Sequence, residues 1–277
     1  MLYPRISNGL ENIAAASGRL QPALWDLVQK RVRTQDITED GYWRFLDFDD
    51  MGDTAAGVTN KNGWGLHIDT GDVLVQLTTA EAGVLRPTTT TTDNNSIDAM
   101  YGGNVGAFHI TSGMEQTCAF DCRVRFTQVT NTYNFFAGLT AAGSAADNGF
   151  FTDAGATADR GCVGFTVLEA DGDALEYTHK KAGQTAVITS GLKALVVDTW
   201  YQLGLVFDPQ EPLSARRIKL FIDNAVVGYV AAGSGTGAIG AATFPSAVML
   251  NFGFALKNQT NVGKSFDIDC AAFGKSA

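Results

Sequence analysis

The chain has 277 residues, of which 31 are glycine and 18% are charged, and its formal net charge is −9. Few charges and many glycines favour strands joined by tight turns over a helical protein. The negative charge argues against nucleic acid as a partner, because phosphates attract a basic surface. A membrane is not expected as a partner either, since no run approaches the roughly 20 apolar residues of a spanning helix.

The first 40 residues differ from the rest, and we expect an N-terminal arm at 1–40 followed by one domain at 41–277. Apolar residues recur in the arm at helical spacing, but the helix would be too short to be stable alone. It needs a surface to cover its apolar stripe, and that surface belongs either to its own domain or to a partner. In the second case the docking residues would be Leu20, Leu24, Trp25, Leu27 and Val28.

Four cysteines, Cys118, Cys122, Cys162 and Cys270, lack the spacing of a zinc site. Cys118 and Cys122 would lie on one face of a strand roughly 13 Å apart at ~3.3 Å per residue. That distance is too long for a disulfide. We therefore predict four buried, reduced thiols. The start of the chain lacks the basic and apolar regions of a secretory signal, so we expect assembly in the cytoplasm.

From residue 42 onward the sequence predicts about a dozen short strands. Segments 64–69 and 73–77 flank Thr70-Gly71-Asp72 and are predicted to form a hairpin. The Pro/Thr/Asn tract that begins at Arg86-Pro87 predicts a surface loop or an extended crossover outside the core. The long small-residue loop at 143–160 is typical of functional surface. Further strands are predicted at 105–110, 118–129, 134–140, 162–170, 174–181 and 247–256.

The clearest pattern lies in residues 199–230. Apolar side chains alternate through 200–207 and again through 218–222, as in half-buried strands. Two prolines between these runs interrupt any strand ladder. Asp223-Asn224 tolerates the left-handed backbone of a tight turn, after which 226–230 forms a third strand. The sequence thus predicts an antiparallel meander within an all-β sandwich or jelly roll.

The runs WYQLGLVFD (200–208) and IKLFIDN (218–224) resemble a hairpin of the concanavalin A-like lectin/laminin G-like jelly-roll family. The segment 266–269 resembles the closing strand of that family, which pairs beside the first strand, here 45–49. Residues 135–139 fit its mid-domain strand. The resemblance covers about residues 42–275 and implies an antiparallel β-sandwich, here with a short N-terminal helical arm. The family includes lectins, adhesion modules, glycoside hydrolases and virion proteins, so the fold alone leaves the function open.

The enzymatic branch of the family transfers poorly to this chain. Its β-glucanase members carry a strand motif E-x-D-x-x-E, and the nearest counterpart here, 169–174, has alanine in place of the second glutamate. A hairpin turn is the simpler interpretation of Asp171-Gly172-Asp173. Nucleophile-elbow and phosphate-loop motifs are also missing. We therefore predict no catalytic residues and no enzymatic activity, with glycoside hydrolysis as the least favoured alternative.

Two groups of residues are candidates for ligand binding. Asp47, Asp49, Asp50 and Asp53 offer the hard oxygen ligands that calcium prefers, although a solvated acidic turn explains them more simply. We therefore expect no cofactor, with calcium as the one candidate.

Aromatic residues near predicted loops are candidates for stacking on a sugar. Core positions account for most aromatics in a β-sandwich, which is the alternative explanation. The candidates are Trp64, Phe150, Phe151 and Tyr177.

Together these features favour a non-enzymatic virion structural protein. The leading hypothesis is a phage capsid decoration (cement) protein, assembled in the host cytoplasm and anchored to the shell through its N-terminal arm. Its expected partners are the major capsid protein or other virion proteins, and a dimer or trimer is expected. The alternative hypothesis is a lectin-like carbohydrate-binding module of a phage tail or surface protein.

Overall fold

The computed structural model describes residues 20–25, 27–28, 42–48, 51–77, 83–103, 105–129, 133–169, 174–209 and 217–276. These residues form an antiparallel β-sandwich, and the predicted all-β fold class is confirmed. The strands are β1 (Tyr42–Asp47), β2 (Thr54–Ala55), β3 (Asn60–Lys61), β4 (Trp64–Ile68), β5 (Val73–Leu77), β6 (Val84–Thr88), β7 (Ser96–Tyr101), β8 (Cys118–Phe126), β9 (Tyr133–Ala141), β10 (Cys162–Val167), β11 (Ala174–Lys180), β12 (Val187–Ala194), β13 (Trp200–Phe207), β14 (Arg217–Ile222), β15 (Ala225–Ala231), β16 (Leu250–Asn258) and β17 (Phe266–Lys275).

The strands make two sheets whose inner faces enclose the core. A nine-stranded sheet has the order β15-β14-β13-β8-β17-β6-β5-β2, with β1 also paired to β17. An eight-stranded sheet has the order β12-β11-β10-β9-β16-β7-β4-β3. Aromatic rings join the two layers. Phe120 of the first sheet stacks on Phe252 of the second, with ring centroids 5.6 Å apart.

Several predicted pairings are confirmed. Strands β13, β14 and β15 form the meander, and Leu205 faces Leu220 across its first hairpin. Asp223 and Asn224 have positive φ angles of 50° and 66°, as the predicted turn requires. The closing strand β17 pairs with the first strand β1, with Phe45 opposite Ala272.

Other predictions of local structure are wrong. Segments 64–69 and 73–77 do not form a hairpin, because β4 pairs with β3 and β7 in one sheet while β5 pairs with β2 and β6 in the other. Part of the Pro/Thr tract is strand β6, in which Pro87 lies opposite Leu74. Residues 105–110 contain only an isolated bridge from Phe108 to Leu250.

A cluster of ion pairs lies on the outer face of the nine-stranded sheet. Asp267 of β17 is fully buried and accepts hydrogen bonds from Arg86 and Arg125, each at 2.6 Å in its closest contact. Asp269 accepts a bond of 2.8 Å from Arg123. A register shift between Ile268 and Cys270 marks a bulge. Two carboxylates of β17 are thus neutralised by arginines from the strands beside it.

The N-terminal segment packs on this same outer face. Residues 22–25 and 27–28 are helical, as the spacing predicted. Leu20, Leu24, Trp25 and Val28 are buried, and Leu27 is half-buried. Their neighbours belong to the chain's own sheet, so the apolar stripe faces the domain and not a partner protein. These neighbours are Phe45, Ala119, Val206, Phe221, Cys270 and Ala272. No helical stretch in the described residues is long and apolar enough to cross a membrane.

One buried carboxylate fixes the helix in position. Asp121 of β8 is 0% exposed and accepts hydrogen bonds from the Gln21 backbone N–H (2.8 Å), the Gln21 side-chain amide (3.0 Å) and the Trp25 indole N–H (2.9 Å). Burial raises the pKa of Asp121 to about 7, and these donors oppose the rise. Gly204 lies beneath the helix, where a Cβ would collide with Leu24.

The four cysteines are all buried and none of them forms a disulfide, which confirms the prediction of buried thiols. Burial raises the pKa of Cys162 to about 12 and also raises the pKa values of Cys118 and Cys122. The thiols are therefore protonated at neutral pH and pack as small apolar side chains.

We predict that Trp25→Phe lowers the free energy of unfolding by about 1.5–3 kcal/mol, because it removes a hydrogen bond to a buried carboxylate while keeping a large ring. Denaturant unfolding measures the change. Trp200→Phe is the matched control on the same sheet face, since Trp200 is half-exposed and contacts Arg123 through its ring face, 4.4 Å from the guanidinium. Equal losses in the two variants would contradict the role of the indole N–H.

Candidate functional site

The outer face of the eight-stranded sheet is covered by the loop at 143–160. A row of three glycines makes room for it, because Gly138 lies opposite both Gly164 and Gly253. A Cβ on Gly253 would lie 3.1 Å from Cζ of Phe150, and one on Gly164 would lie 3.0 Å from Cε2 of Phe136. The neighbouring strands, together with the rings of Phe136 and Phe150, therefore leave no space for a side chain at these two positions.

Polar contacts hold the loop on this face. Lys257 of β16 is 1% exposed and donates hydrogen bonds to the side chains of Asn148 and Asp153, the latter at 2.7 Å. Asp98 is also buried on the outer face, where it accepts a 2.9 Å bond from Ser96 Oγ. Burial raises the pKa of Asp98 to about 8. The carboxylate is thus enclosed and is not open to a substrate.

In contrast to these enclosed side chains, β1, β4 and β7 and the turns beside them form a cleft that is open to solvent. This cleft has a volume of about 510 Å³. We call it the aromatic cleft, because rings form much of its wall. Its lining residues are Phe45, Leu46, Phe48, Met51, Asn62, Trp64 and Tyr101.

Local sequence explains how the aromatic cleft is built. Asn62-Gly63 is a two-residue turn between β3 and β4, with positive φ angles of 48° and 82°. This turn chemistry is the strongest short-range hairpin signal. It brings exposed Asn62 beside Trp64, and Trp64 lies directly opposite Tyr101 in the β4–β7 ladder. The Trp64 and Tyr101 ring centroids are 5.5 Å apart with the rings nearly perpendicular.

The rings of the aromatic cleft differ in their exposure. Trp64 is 3% exposed and packs on Phe48 and Phe254, with centroids 5.7 and 5.5 Å away. It forms the floor of the cleft. Tyr101 and Phe45 are half-buried, and both rings line the cleft. Aromatic faces stack on apolar ligand surfaces, and an amide such as that of Asn62 both donates and accepts hydrogen bonds.

The four residues predicted to bind a glycan do not form one site. Trp64 lies in the aromatic cleft, whereas Phe150 and Phe151 belong to the covering loop, pack against the sheet and are 4% and 2% exposed. Tyr177 is 1% exposed and faces the core between the sheets. None of the four is therefore an exposed stacking platform. Sequence reasoning missed Tyr101 and Asn62, although the Asn-Gly turn was a readable signal for the latter.

The predicted calcium group is only partly described. Asp49, Asp50 and the side chain of Asp47 lie outside the described residues. Asp53 accepts a 2.9 Å hydrogen bond from the Gln76 backbone N–H, and thus has a structural partner.

Within the described ranges a different group, His67, Asp69 and Asp147, places its donor atoms within 4.8 Å of one another. Asp69 in this group already accepts bonds from the Ser96 N–H and from His67. Three donors are few for calcium, which takes six to eight oxygens.

The acidic segment 169–174 joins two paired strands. β10 and β11 form an antiparallel pair with Thr166 opposite Glu176, and the turn predicted at Asp171-Gly172-Asp173 falls between them. Residues 170–173 lie outside the described residues. Glu169 donates its backbone N–H to Asn134 Oδ1 at 2.9 Å, and Glu176 is 0% exposed. The buried position of Glu176 differs from that of an acid that meets a substrate in an open groove.

Comparison with known proteins identifies the fold. No protein-family profile and no curated protein sequence matches the chain. Similar solved structures include a protein of unknown function from Shewanella oneidensis MR-1 (17% identity, 90% of this chain and 94% of that chain, TM-score 0.54). Others are an endo-β-1,4-glucuronan lyase from the fungus Trichoderma reesei (13%, 83% and 94%, 0.52) and peanut lectin (11%, 86% and 98%, 0.52). At these identities the likeness shows the fold alone, a concanavalin A-like sandwich.

We predict that Lys257→Met loosens the covering loop, because it removes two hydrogen bonds and keeps an unbranched side chain. Amide hydrogen exchange should become about 10- to 100-fold faster within 143–160, as expected for the loss of about 1.5–3 kcal/mol. The Ala158 N–H, which donates to the Phe150 carbonyl, is a suitable reporter.

Lys219→Met is the control for this experiment, since Lys219 pairs with Asp208 on the other sheet. It should leave exchange in the loop unchanged. Unchanged exchange in Lys257→Met would mean that the aromatic rings alone hold the loop.

Proposed function

We propose that this protein is a non-enzymatic carbohydrate-binding module that holds a sugar in the aromatic cleft. The observation that carries the proposal is the chemistry of the cleft wall, where the accessible ring of Tyr101 lies near the exposed amide of Asn62. Sugars present apolar C–H faces to aromatic rings and hydroxyls to amides. A volume of about 510 Å³ falls within the range of small-molecule sites.

The placement of acidic residues supports binding over catalysis. Glycoside hydrolysis uses two carboxyl groups that flank the scissile bond. The described lining of the aromatic cleft contains no carboxylate. Asp98 and Glu176, which lie on the eight-stranded sheet, are 2% and 0% exposed and do not meet such a bond. The likeness to peanut lectin and to a glucuronan lyase concerns the fold alone. The choice between binding and catalysis therefore rests on the residues of the site.

We predict that Asn62→Gly weakens binding of a glycan ligand, first found by glycan array, by about tenfold, the loss of one net hydrogen bond of about 1–1.5 kcal/mol. Glycine accepts the positive φ of this turn, so the fold is kept. Tyr101→Ala should reduce binding further because it removes the stacking ring. Calorimetric titration of each variant measures the affinities.

Tyr229→Ala is the control for ring removal, since Tyr229 is 54% exposed on β15 at the other side of the sandwich. It should bind the glycan as the wild type does. Wild-type affinity in both Asn62→Gly and Tyr101→Ala would exclude the aromatic cleft. Retention of no glycan by the wild type would exclude the function itself.

A second proposal places the module on a phage particle as a decoration protein. It is supported by the way the N-terminal segment is held, because Asp121 fixes Gln21 and Trp25 on the outer face of the sheet. Residues 1–19 are therefore joined to the domain at a fixed point, which suits an anchoring arm. On this proposal residues 1–19, and not the buried stripe of 20–28, would contact the major capsid protein or another virion protein.

We predict that deletion of residues 1–19 leaves the melting temperature unchanged and abolishes co-sedimentation with phage heads stripped of surface proteins. Deletion of 1–28 should instead lower the melting temperature, because it exposes to water the apolar sheet face that Leu20, Leu24 and Val28 cover. Saturable binding of both the full chain and the 20–277 fragment would mean that residues 1–19 are not the anchor. Failure of the full chain to bind would exclude the decoration role.

A further inference from the structure

A second cavity opens where the two sheets end side by side. It has a volume of about 380 Å³ and lies between β11 and β12 of the eight-stranded sheet and β15 of the nine-stranded sheet. In the strand order of the eight-stranded sheet this edge is opposite the one that carries the aromatic cleft. We call this space the edge cavity.

Two polar side chains in the wall of the edge cavity lack partners. Tyr177 and His179 are both 1% exposed and lie on the inner face of β11. Neither the Tyr177 hydroxyl nor either ring nitrogen of His179 has a hydrogen-bond partner among the described residues. Buried polar groups are almost always hydrogen-bonded, so a pair of such groups beside a cavity indicates that something else supplies the partner.

The surroundings define what that partner can be. The His179 ring packs 5.1 Å from Phe244 and 5.7 Å from Tyr177, measured between centroids. Burial lowers the pKa of His179 to about 4, so at neutral pH the ring is uncharged, with one donor and one acceptor nitrogen. The described lining of the edge cavity contains no Asp, Glu, Lys or Arg. A charged ligand would be desolvated there without a counter-charge.

The remaining wall is apolar or backbone. Val187 and Val230 face the space from the two edge strands, and the glycine-rich segment 233–238 closes one side with little side-chain bulk. Thr189 and Tyr229 lie at the exposed rim, and Tyr229 is 54% exposed. The entrance is therefore bordered by exposed side chains, and the Tyr229 ring stacks on the Arg217 guanidinium at 4.0 Å.

We propose that the edge cavity binds a compact, uncharged, mostly apolar molecule that carries one hydroxyl or carbonyl group. The apolar body fills the space between the edge strands, and the polar group pairs with His179 and Tyr177. This site is separate from the sugar site of the aromatic cleft and does not depend on it.

The test compares 2-naphthol with naphthalene, two uncharged probes that differ by one hydroxyl. Methyl NMR of Val187 and Val230 in the full chain reports binding of either compound. We expect saturable binding of both, with 2-naphthol about tenfold tighter, the ratio expected for one net hydrogen bond. In the Tyr177→Phe and His179→Phe variants, the affinities for 2-naphthol and naphthalene should become nearly equal, while naphthalene still binds.

These variants are expected to fold, because neither removes a hydrogen bond between the described residues of the protein. Thr189→Trp should block both probes, since Thr189 lines the entrance. Ser190→Trp is the matched control on the opposite face of the same exposed strand, and it should bind both probes as the wild type does.

Three outcomes would overturn the proposal. The first is no saturable binding of either probe by the wild type, which would mean that enclosed water alone satisfies His179 and Tyr177. The second is equal affinity for the two probes in the wild type. The third is unaltered binding in Thr189→Trp, which would place the probes elsewhere on the chain.

Discussion

The nine-stranded sheet depends on the backbone hydrogen bonds of β17. This buried strand needs a partner strand along each of its two edges, and the two parts of the sheet are joined through it. The strand is ten residues long, pairs with β8 throughout, and meets β6 and β1 along its two halves. Its bulge lets Asp267 and Asp269 face the arginines while Cys270 faces the apolar side chains of the N-terminal helix. Since β1 pairs with the end of the chain, the sheet is complete only when residues far apart in sequence have met, a topology that folds slowly.

The sequence predicted strands well where one face is buried and the other is wet, as in the meander of β13 to β15. It failed for β12, whose residues are exposed or half-buried on both faces and show no alternation. It also failed for β6, because Pro87 is a feature of loops as well as of strands with incomplete pairing. The aromatic cleft could not be predicted, because Trp64 and Tyr101 come together only when β4 pairs with β7. The sequence had instead indicated that β4 pairs with β5.

The distribution of covered and open surface decides which functions suit this sandwich. On the eight-stranded sheet, the loop at 143–160 is held by Lys257 and covers part of the outer face. The apolar stripe of residues 20–28 is covered in the same way by the other sheet. Two of the spaces left open among the described residues are the aromatic cleft at one edge of the eight-stranded sheet and the edge cavity at the other, and the described lining of each contains no charged side chain. This distribution is the basis on which we propose that both sites bind neutral molecules.

The four buried thiols have a practical consequence for handling the protein. A thiolate is the species that reacts with maleimides and oxidants, and burial raises the pKa values of Cys118, Cys122 and Cys162 far from neutral pH. Cys270 is buried among the apolar residues that pack against the N-terminal helix. The native cysteines are thus silent toward water-soluble reagents while the fold is intact. A single cysteine introduced at the surface would carry a fluorophore or spin label alone, with no need for a cysteine-free background.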